Sequence, residues 1–428
     1  GDYTETIAFQ HYESDMYEKI LMSYFARVEY DYRNKYLFSF CFRGDGSSTF
    51  GRGNKWGTFP AVAVGWSFSE ENWVKENLGW LSFGKVRASW GKSGKTFEQP
   101  YTAAGILQNG ETSFQNGPIL EPNWYDGLYN EELTWEETDQ YDIGLDMDLL
   151  DYRLGVTVDY YYRYTDKLLS RISIDKSINT YGNQWHNAAA ISNEGFELLV
   201  RYEIFREKDL YWKISVNGAK NWNRFKKSYD GKDMGRWIIG KPLNGIYAYE
   251  CTGFINDAEK VPFMYDNEGA KSYLYLSDKG PSGFFKPGDY MLTDIDGDGI
   301  IQGYDLVYVG SALPVFQGGL VSEFQWKNLD INLSLTYQLG RHMVSTLQLS
   351  SLYTDQNNQD HPFFMDLRDV SFWEQPGDDQ AKYSPNELNN YLYREYTSRD
   401  VEKVNWMKLK TLSIGYSLPK QWTHHVGM

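Results

Sequence analysis

Apolar and polar residues alternate strictly over long stretches of this chain, and that pattern constrains its fold most. In Asp330-Ile331-Asn332-Leu333-Ser334-Leu335-Thr336-Tyr337 every second residue is apolar. Leu154, Val156, Val158, Tyr160 and Tyr162 interleave with Gly155, Thr157, Asp159 and Tyr161. Tyr141, Ile143, Leu145, Met147 and Leu149 interleave with Asp142, Gly144, Asp146 and Asp148. Tyr36, Phe38, Phe40 and Phe42 repeat the pattern, as do Leu412, Ile414, Tyr416 and Leu418. A period of two is that of a β-strand with one greasy and one polar face. Such a strand separates two different solvents.

The pattern predicts eleven strands, at about 17–30, 35–44, 56–68, 80–91, 134–148, 152–166, 187–205, 210–222, 313–325, 329–341 and 404–418. Many are far longer than the roughly five or six residues usual in globular sheets. They suit a tilted bilayer crossing, which takes about nine to eleven. The connections sort by length. Short turns fall at Asp31-Tyr32-Arg33-Asn34, around Asp151, at Arg206-Glu207-Lys208-Asp209 and at Trp326-Lys327-Asn328, with a short polar helix-like stretch near Glu70–Asn77. Between them lie long connections near 45–55, 92–133, 167–186, 223–312 and 342–403. Short turns on one side and long loops on the other are the pattern of an outer-membrane β-barrel. Barrels of this kind have an even strand count with both ends on the short-turn side. Eleven strands therefore read as a portion, 1–428, of a larger barrel.

Composition narrows the alternatives. The 428 residues carry 42 Lys and Arg against 58 Asp and Glu, a formal charge of −16, which argues against a nucleic-acid partner. Aromatic residues make up 17%, led by 35 tyrosines, in a chain of mean hydropathy −0.58. That mixture fits a β-protein whose aromatics mark a water–lipid boundary or line a wet cavity. No run is apolar enough for a transmembrane helix, and residues 1–20 do not read as a secretory leader. Cys41 and Cys251 make no disulfide framework.

Signals for an enzyme are poor. There is no G-x-S-x-G and no H-E-x-x-H. Gly91-Lys92-Ser93 imitates the end of a P-loop, but Val86 stands where its first glycine belongs. Glu136 and Glu137 are neighbours on a strand and point to opposite faces, so they cannot flank one glycosidic bond. His424 and His425 read as solvated.

Three stretches resemble the SusC family of TonB-dependent outer-membrane transporters. They are Phe42-Arg43-Gly44-Asp45-Gly46 with Asn54-Lys55-Trp56-Gly57-Thr58-Phe59-Pro60; Gly288-Asp289-Tyr290 through Asp294-Ile295-Asp296-Gly297-Asp298-Gly299 to Phe316-Gln317-Gly318-Gly319; and Met407-Lys408-Leu409-Lys410-Thr411-Leu412-Ser413-Ile414-Gly415-Tyr416-Ser417-Leu418-Pro419. Ser192-Asn193-Glu194-Gly195-Phe196 adds weaker support. The resemblance (SusC/RagA type) implies an all-β, antiparallel transmembrane barrel of about 22 strands filled by an N-terminal plug. These eleven strands would be roughly the tenth to the twentieth, with the plug and last strands absent from the sequence. It also implies a SusD-like surface lipoprotein as lid, coupling to TonB-ExbB-ExbD, and import of oligosaccharides or oligopeptides across the bacterial outer membrane. The rivals are a siderophore- or cobalamin-type receptor with the same barrel and no lid, and a secreted carbohydrate-binding β-protein.

Two kinds of site are legible. Asp294, Asp296, Asp298, Ile300 (through its carbonyl) and Asp305 match positions 1, 3, 5, 7 and 12 of a calcium loop, with Gly299 at the turn. Position 12 is Asp in place of Glu. The expected role of calcium is structural, pinning the 223–312 loop. The competing reading is an Asp/Gly turn closed by its own side-chain-to-backbone bonds. The long loops also hold aromatics beside Asp, Asn and Gln, a pairing suited to sugar rings. Candidates for substrate contact are Trp124, Tyr125, Trp185, Phe372 and Trp373.

Overall fold

A computed structural model describes residues 18–98, 103, 107–114, 117–122, 129–175, 182–265, 269–276, 284–344, 371–378, 380–381, 383–384 and 397–418. The first part of the chain gives β1 Leu21–Tyr32, β2 Tyr36–Ser47, β3 Trp56–Trp66, α1 Asn72–Asn77, β4 Leu81–Lys95, β5 Leu107–Phe114, β6 Gly117–Pro122, β7 Glu136–Leu149, β8 Leu154–Ser173, β9 Asn183–Arg206 and β10 Leu210–Lys227. The rest gives β11 Gly245–Tyr249, β12 Cys251–Phe254, β13 Phe263–Tyr265, β14 Lys271–Tyr273, β15 Tyr275–Leu276, β16 Tyr290–Leu292, β17 Ile300–Ile301, β18 Leu306–Ser311, β19 Phe316–Trp326, β20 Leu329–Val344 and β21 Val401–Tyr416.

Eleven strands make one antiparallel sheet in the order β1-β2-β3-β4-β7-β8-β9-β10-β19-β20-β21. Sequence neighbours pair throughout, so each long loop simply spans two adjacent strands. All eleven strands expected from alternation are present. Several run further than the alternation reaches, most of all β8 and β9, of 20 and 24 residues. No helix among the described residues is long and apolar enough to cross a membrane, which says nothing of strands.

The two faces of the sheet differ as the alternation requires. In β2 Tyr36, Phe38, Phe40 and Phe42 are exposed, while the alternating Leu37, Ser39 and Cys41 are half-buried. In β7 Tyr141 and Ile143 are exposed on the same principle. Greasy side chains turned outward are the reverse of a water-soluble sheet and suit a lipid surround. The opposite face is polar and internally paired. Arg87 binds Asp146 at 3.0 Å and Asp159 at 2.6 Å, and Lys92 binds Glu137 at 2.8 Å. Register alone explains the contact: Lys85 opposes Asp146 and Arg87 opposes Gly144, so the guanidinium reaches diagonally over a glycine. The acids Asp142, Asp146 and Asp159 thus belong to the polar, internally paired face of the sheet.

The turns are as short as expected. Arg33 and Asn34 both have positive φ (57° and 55°), and the Lys35 N–H bonds the Tyr32 carbonyl at 3.0 Å. That is a type I′ turn, whose twist matches the flanking strands. The third connection is the helical stretch foreseen near Glu70–Asn77, and Glu71, just before α1, is a hub. Glu71 accepts from Tyr36 Oη at 2.7 Å, Trp66 Nε1 at 3.3 Å and Lys35 Nζ at 3.3 Å. The Tyr36 bond, then the Trp66 bond, hold the Glu71 carboxyl below its ordinary pKa of 4.5, with Lys35 adding to both. A depressed acid pKa contributes stability that is present above the ordinary value and lost as pH falls through the depressed one. Glu71→Gln is therefore expected to flatten the loss of stability below about pH 4.5. Urea unfolding of the detergent-solubilised protein at pH 7 and pH 4 checks this. Equal acid sensitivity in wild type and variant would refute it.

The chain forms two compact units. The first comprises 1–152, 157–194 and 225–232 and contains an aromatic core of Phe50, Phe59, Phe97, Leu133 and Trp135. The second comprises 153–156, 195–224 and 233–428. Its core lies in the long loops, not in the sheet. Tyr249, Phe254, Ile255, Val261, Leu274, Leu276, Phe285, Tyr290, Leu292, Ile301 and Ala381 are buried together there. The 223–312 loop is thus a small folded module built of the short pairs β11–β18, β12–β16, β13–β14 and β15–β17.

Candidate functional site

The module positions the acidic loop. Tyr275 and Leu276 of β15 pair in parallel with Ile300 and Ile301 of β17, and Ile301 is buried in the core. This fixes the far end of the Asp294–Asp305 segment. Carboxylate oxygens of Asp294, Asp296 and Asp305 then lie within 4.8 Å of one another. Asp298 does not join them. It accepts from Ile300 N at 2.8 Å and from Gln302 Nε2 at 2.7 Å.

The loop also closes on itself. Asp294 accepts from the Gly297 and Gly299 N–H groups at 2.7 and 2.9 Å. Asp305 is fully buried and accepts from Ile295 N and Gln302 N, both at 2.8 Å. Gly297 and Gly299 adopt φ of 76° and 82°, a conformation that favours glycine. Asp296 is exposed as a residue. Its pKa is nevertheless raised, first by desolvation of the carboxyl and then by the charges of Asp298, Asp305 and Asp294, against the Asp298 N–H it accepts. Three convergent hard oxygens under mutual repulsion are a donor set for a divalent cation. Part of their capacity is already given to the backbone.

The aromatic candidates separate. Trp124 and Tyr125 lie outside the described residues. Trp185 packs edge-on against Phe97 (centroids 5.0 Å apart), with the Arg171 guanidinium 5.2 Å above its ring, and its carbonyl accepts from Asn130 Nδ2 at 2.9 Å. In this position it ties the 92–133 loop to β9. Trp373 packs on the module core and donates to Asn256 Oδ1 at 3.3 Å, while Phe372 packs on Tyr383 at 6.2 Å. Both rings are half-buried; Trp373 holds the 342–403 loop to the module, while Phe372 packs within that loop. Arg399 completes that joint: it lies 4.5 Å from the Phe254 ring and 5.5 Å from Tyr290, and donates to the Ala381 carbonyl at 2.6 Å. Alternation could not have found this joint, because Trp373 and Asn256, and Arg399 and Phe254, are more than a hundred residues apart in the chain.

An eleven-stranded antiparallel sheet with an apolar outer face, a salt-bridged inner face and folded long loops is now in view. The family described as "TonB dependent receptor-like, beta-barrel" matches residues 3–249. The chain belongs to that family. It is 31% identical over 333 residues to TonB-dependent receptor SusC of Bacteroides thetaiotaomicron, covering 76% of this chain and 31% of SusC. It is 29% identical over 430 residues to TonB-dependent receptor P3 of Formosa agariphila, covering 96% of this chain and 40% of P3. This TonB-dependent receptor chain also shares its fold with the structure of the RagAB peptide transporter, with a TM-score of 0.70 at 21% identity over 94% of this chain and 42% of that one. The chain thus spans about two-fifths or less of these relatives' length. The SusC/RagA resemblance and the antiparallel barrel-type sheet expected from sequence both hold, and the family is one of outer-membrane receptors and transporters.

Proposed function

We propose that the chain forms wall and surface loops of an energy-coupled outer-membrane importer of oligosaccharides or oligopeptides, working with a SusD-like surface lipoprotein and powered through TonB-ExbB-ExbD. The family match on an antiparallel sheet of eleven long strands, with one greasy face and one salt-bridged face, carries this reading. Loops and lid take up the substrate outside, and force on the plug opens a path along the wall. The wall supplies shape and charge through Arg87, Asp146, Asp159, Lys92 and Glu137, and does no covalent chemistry.

The test is purification of the native protein from outer membranes in mild detergent, with identification of what co-elutes, and growth of a deletion strain on defined glycans. A co-eluting SusD-like lipoprotein and loss of growth on one glycan support the reading. Loss of growth on peptides alone identifies peptides as the cargo. A lone receptor with iron-dependent growth defects overturns it in favour of siderophore uptake.

Calcium at Asp294, Asp296 and Asp305 is part of this proposal, with a structural role. It would neutralise the three carboxylates and hold β17 against β15. Terbium luminescence or calorimetry on the full-length protein is expected to show a site that Asp305→Asn removes. Asp305→Asn also sets an amide N–H against backbone donors, at a cost of about 1–3 kcal/mol. If wild type binds no calcium and protease cuts the loop equally with and without it, the Asp/Gly turn reading stands instead.

A further inference from the structure

The hairpin β13–β14 turns a row of aromatic rings to solvent. Its register pairs Phe263 with Tyr273, Met264 with Ser272 and Tyr265 with Lys271. A period of two then places Phe263, Tyr265, Lys271 and Tyr273 on one face, and Met264 and Ser272 on the other. Burial agrees: the first four are exposed and the other two half-buried. The back face is fixed. Met264 covers Gly299 of the acidic loop so closely that a β-carbon there would fall 2.0 Å from its Sδ. The front face is open, with Tyr265 at 64% exposure, Phe284 at 43% and Phe263 at 41%.

The rings form a connected series. Centroid distances are 5.6 Å for Phe263–Tyr265, 6.4 Å for Phe263–Tyr273, 6.5 Å for Tyr273–Phe284 and 5.9 Å for Tyr275–Phe284, all edge-to-face. Lys271 Nζ sits 4.0 Å from the Phe263 centroid and 4.6 Å from that of Tyr273. It has no carboxylate partner among the described residues. Two physical facts narrow the occupant. Contiguous exposed apolar surface marks a contact site. Lysine, however, is depleted in the cores of protein–protein interfaces, and here it stands at the centre of the platform. In a chain of charge −16, an ammonium held over two rings, with no carboxylate partner among the described residues, is a local exception. It complements a ligand that joins an apolar ring face to a fixed negative charge.

We propose that Phe263, Tyr265, Lys271, Tyr273 and Phe284 form a surface capture site for an acidic polysaccharide, a pyranose chain bearing carboxylate or sulfate groups. Ring faces of the sugar stack on Tyr265 and Phe284, and the anionic substituent pairs with Lys271. The site needs neither TonB nor transport. It goes beyond the import reading, and its binding test can fail or succeed independently of the uptake test.

The experiment measures binding of the full-length transporter in detergent to immobilised polygalacturonate, dextran sulfate and neutral dextran over a salt series. Wild type is expected to bind the anionic polymers in preference to dextran, more weakly as salt rises. The preferred polymer tells carboxylate from sulfate. Lys271→Gln is expected to weaken that binding roughly tenfold, Lys271→Arg to retain it, and Tyr265→Ala with Phe284→Ala to abolish it. Both sites are exposed, so the heat-modifiable mobility of the folded protein should be unchanged. Dextran bound as tightly as polygalacturonate, no binding by wild type, or wild-type affinity in Lys271→Gln would each overturn the proposal. So would a double variant that loses only its lipoprotein partner.

Discussion

Gly318→Val is expected to cost about 3 kcal/mol and to abolish the folded, heat-modifiable band of the protein in detergent gels. Gly318 lies in β19 opposite Gly218 of β10 and beside Tyr337 of β20. The Tyr337 ring crosses this gap to donate from Oη to the Asn217 carbonyl at 3.0 Å. A β-carbon on Gly318 would sit 2.0 Å from that carbonyl oxygen and 2.6 Å from Tyr337 Oη. The first of these atoms is backbone, so no rotamer change relieves it; β10 and β19 must part and lose ladder bonds. Gly53→Ala is the control, because nothing lies within 4 Å of its added carbon. A folded band of wild-type intensity in Gly318→Val would show that the strands absorb the side chain, and the close approach would then have no energetic meaning.

Trp135→Ala should be comparably severe, at about 3–5 kcal/mol. Trp135 is nearly fully buried, with Phe50 at 5.3 Å and Phe59 at 5.4 Å between ring centroids, and it donates from Nε1 to the Lys55 carbonyl at 3.1 Å. Truncation leaves a cavity between two rings and removes one of two donors from the Lys55 carbonyl, which keeps the Ser47 N–H at 2.9 Å. Trp135→Phe restores most of the volume and loses only that one hydrogen bond, so its cost should fall to about 0.5–1.5 kcal/mol. Unfolding midpoints of the three proteins in urea give the order wild type, Trp135→Phe, Trp135→Ala. An alanine variant as stable as the phenylalanine one would mean that the cluster collapses around the gap.

These two residues mark different degrees of legibility. Phe316-Gln317-Gly318-Gly319 was visible as a family motif, but alternation gave no reason for its glycines. The reason is the reach of a tyrosine from the next strand, which no local pattern encodes. Trp135 was visible only as the start of a strand. Its partners Phe50 and Phe59 lie some eighty residues earlier, and sequence spacing does not report such a meeting. Of the site residues, Asp294, Asp296 and Asp305 converge because a twelve-residue loop carries them. Asp298, at an equally regular spacing, turns away to Ile300 and Gln302. Spacing sets which atoms can reach a point, and competing backbone donors decide which do. Trp185, Phe372 and Trp373 were legible as loop aromatics, whereas their packing on Phe97, Tyr383 and the module core was not.

The sequence by itself determined the strands, their two unlike faces, the short turns and the family, because a period of two and a turn residue act over a few neighbours. Only the tertiary structure decided that the 223–312 loop is a folded module with its own core, that Arg399 and Trp373 join a second loop to it, and that the rings of β13 and β14 face outward around Lys271. Those outcomes depend on which distant side chains exclude water together, and that is settled by packing in three dimensions.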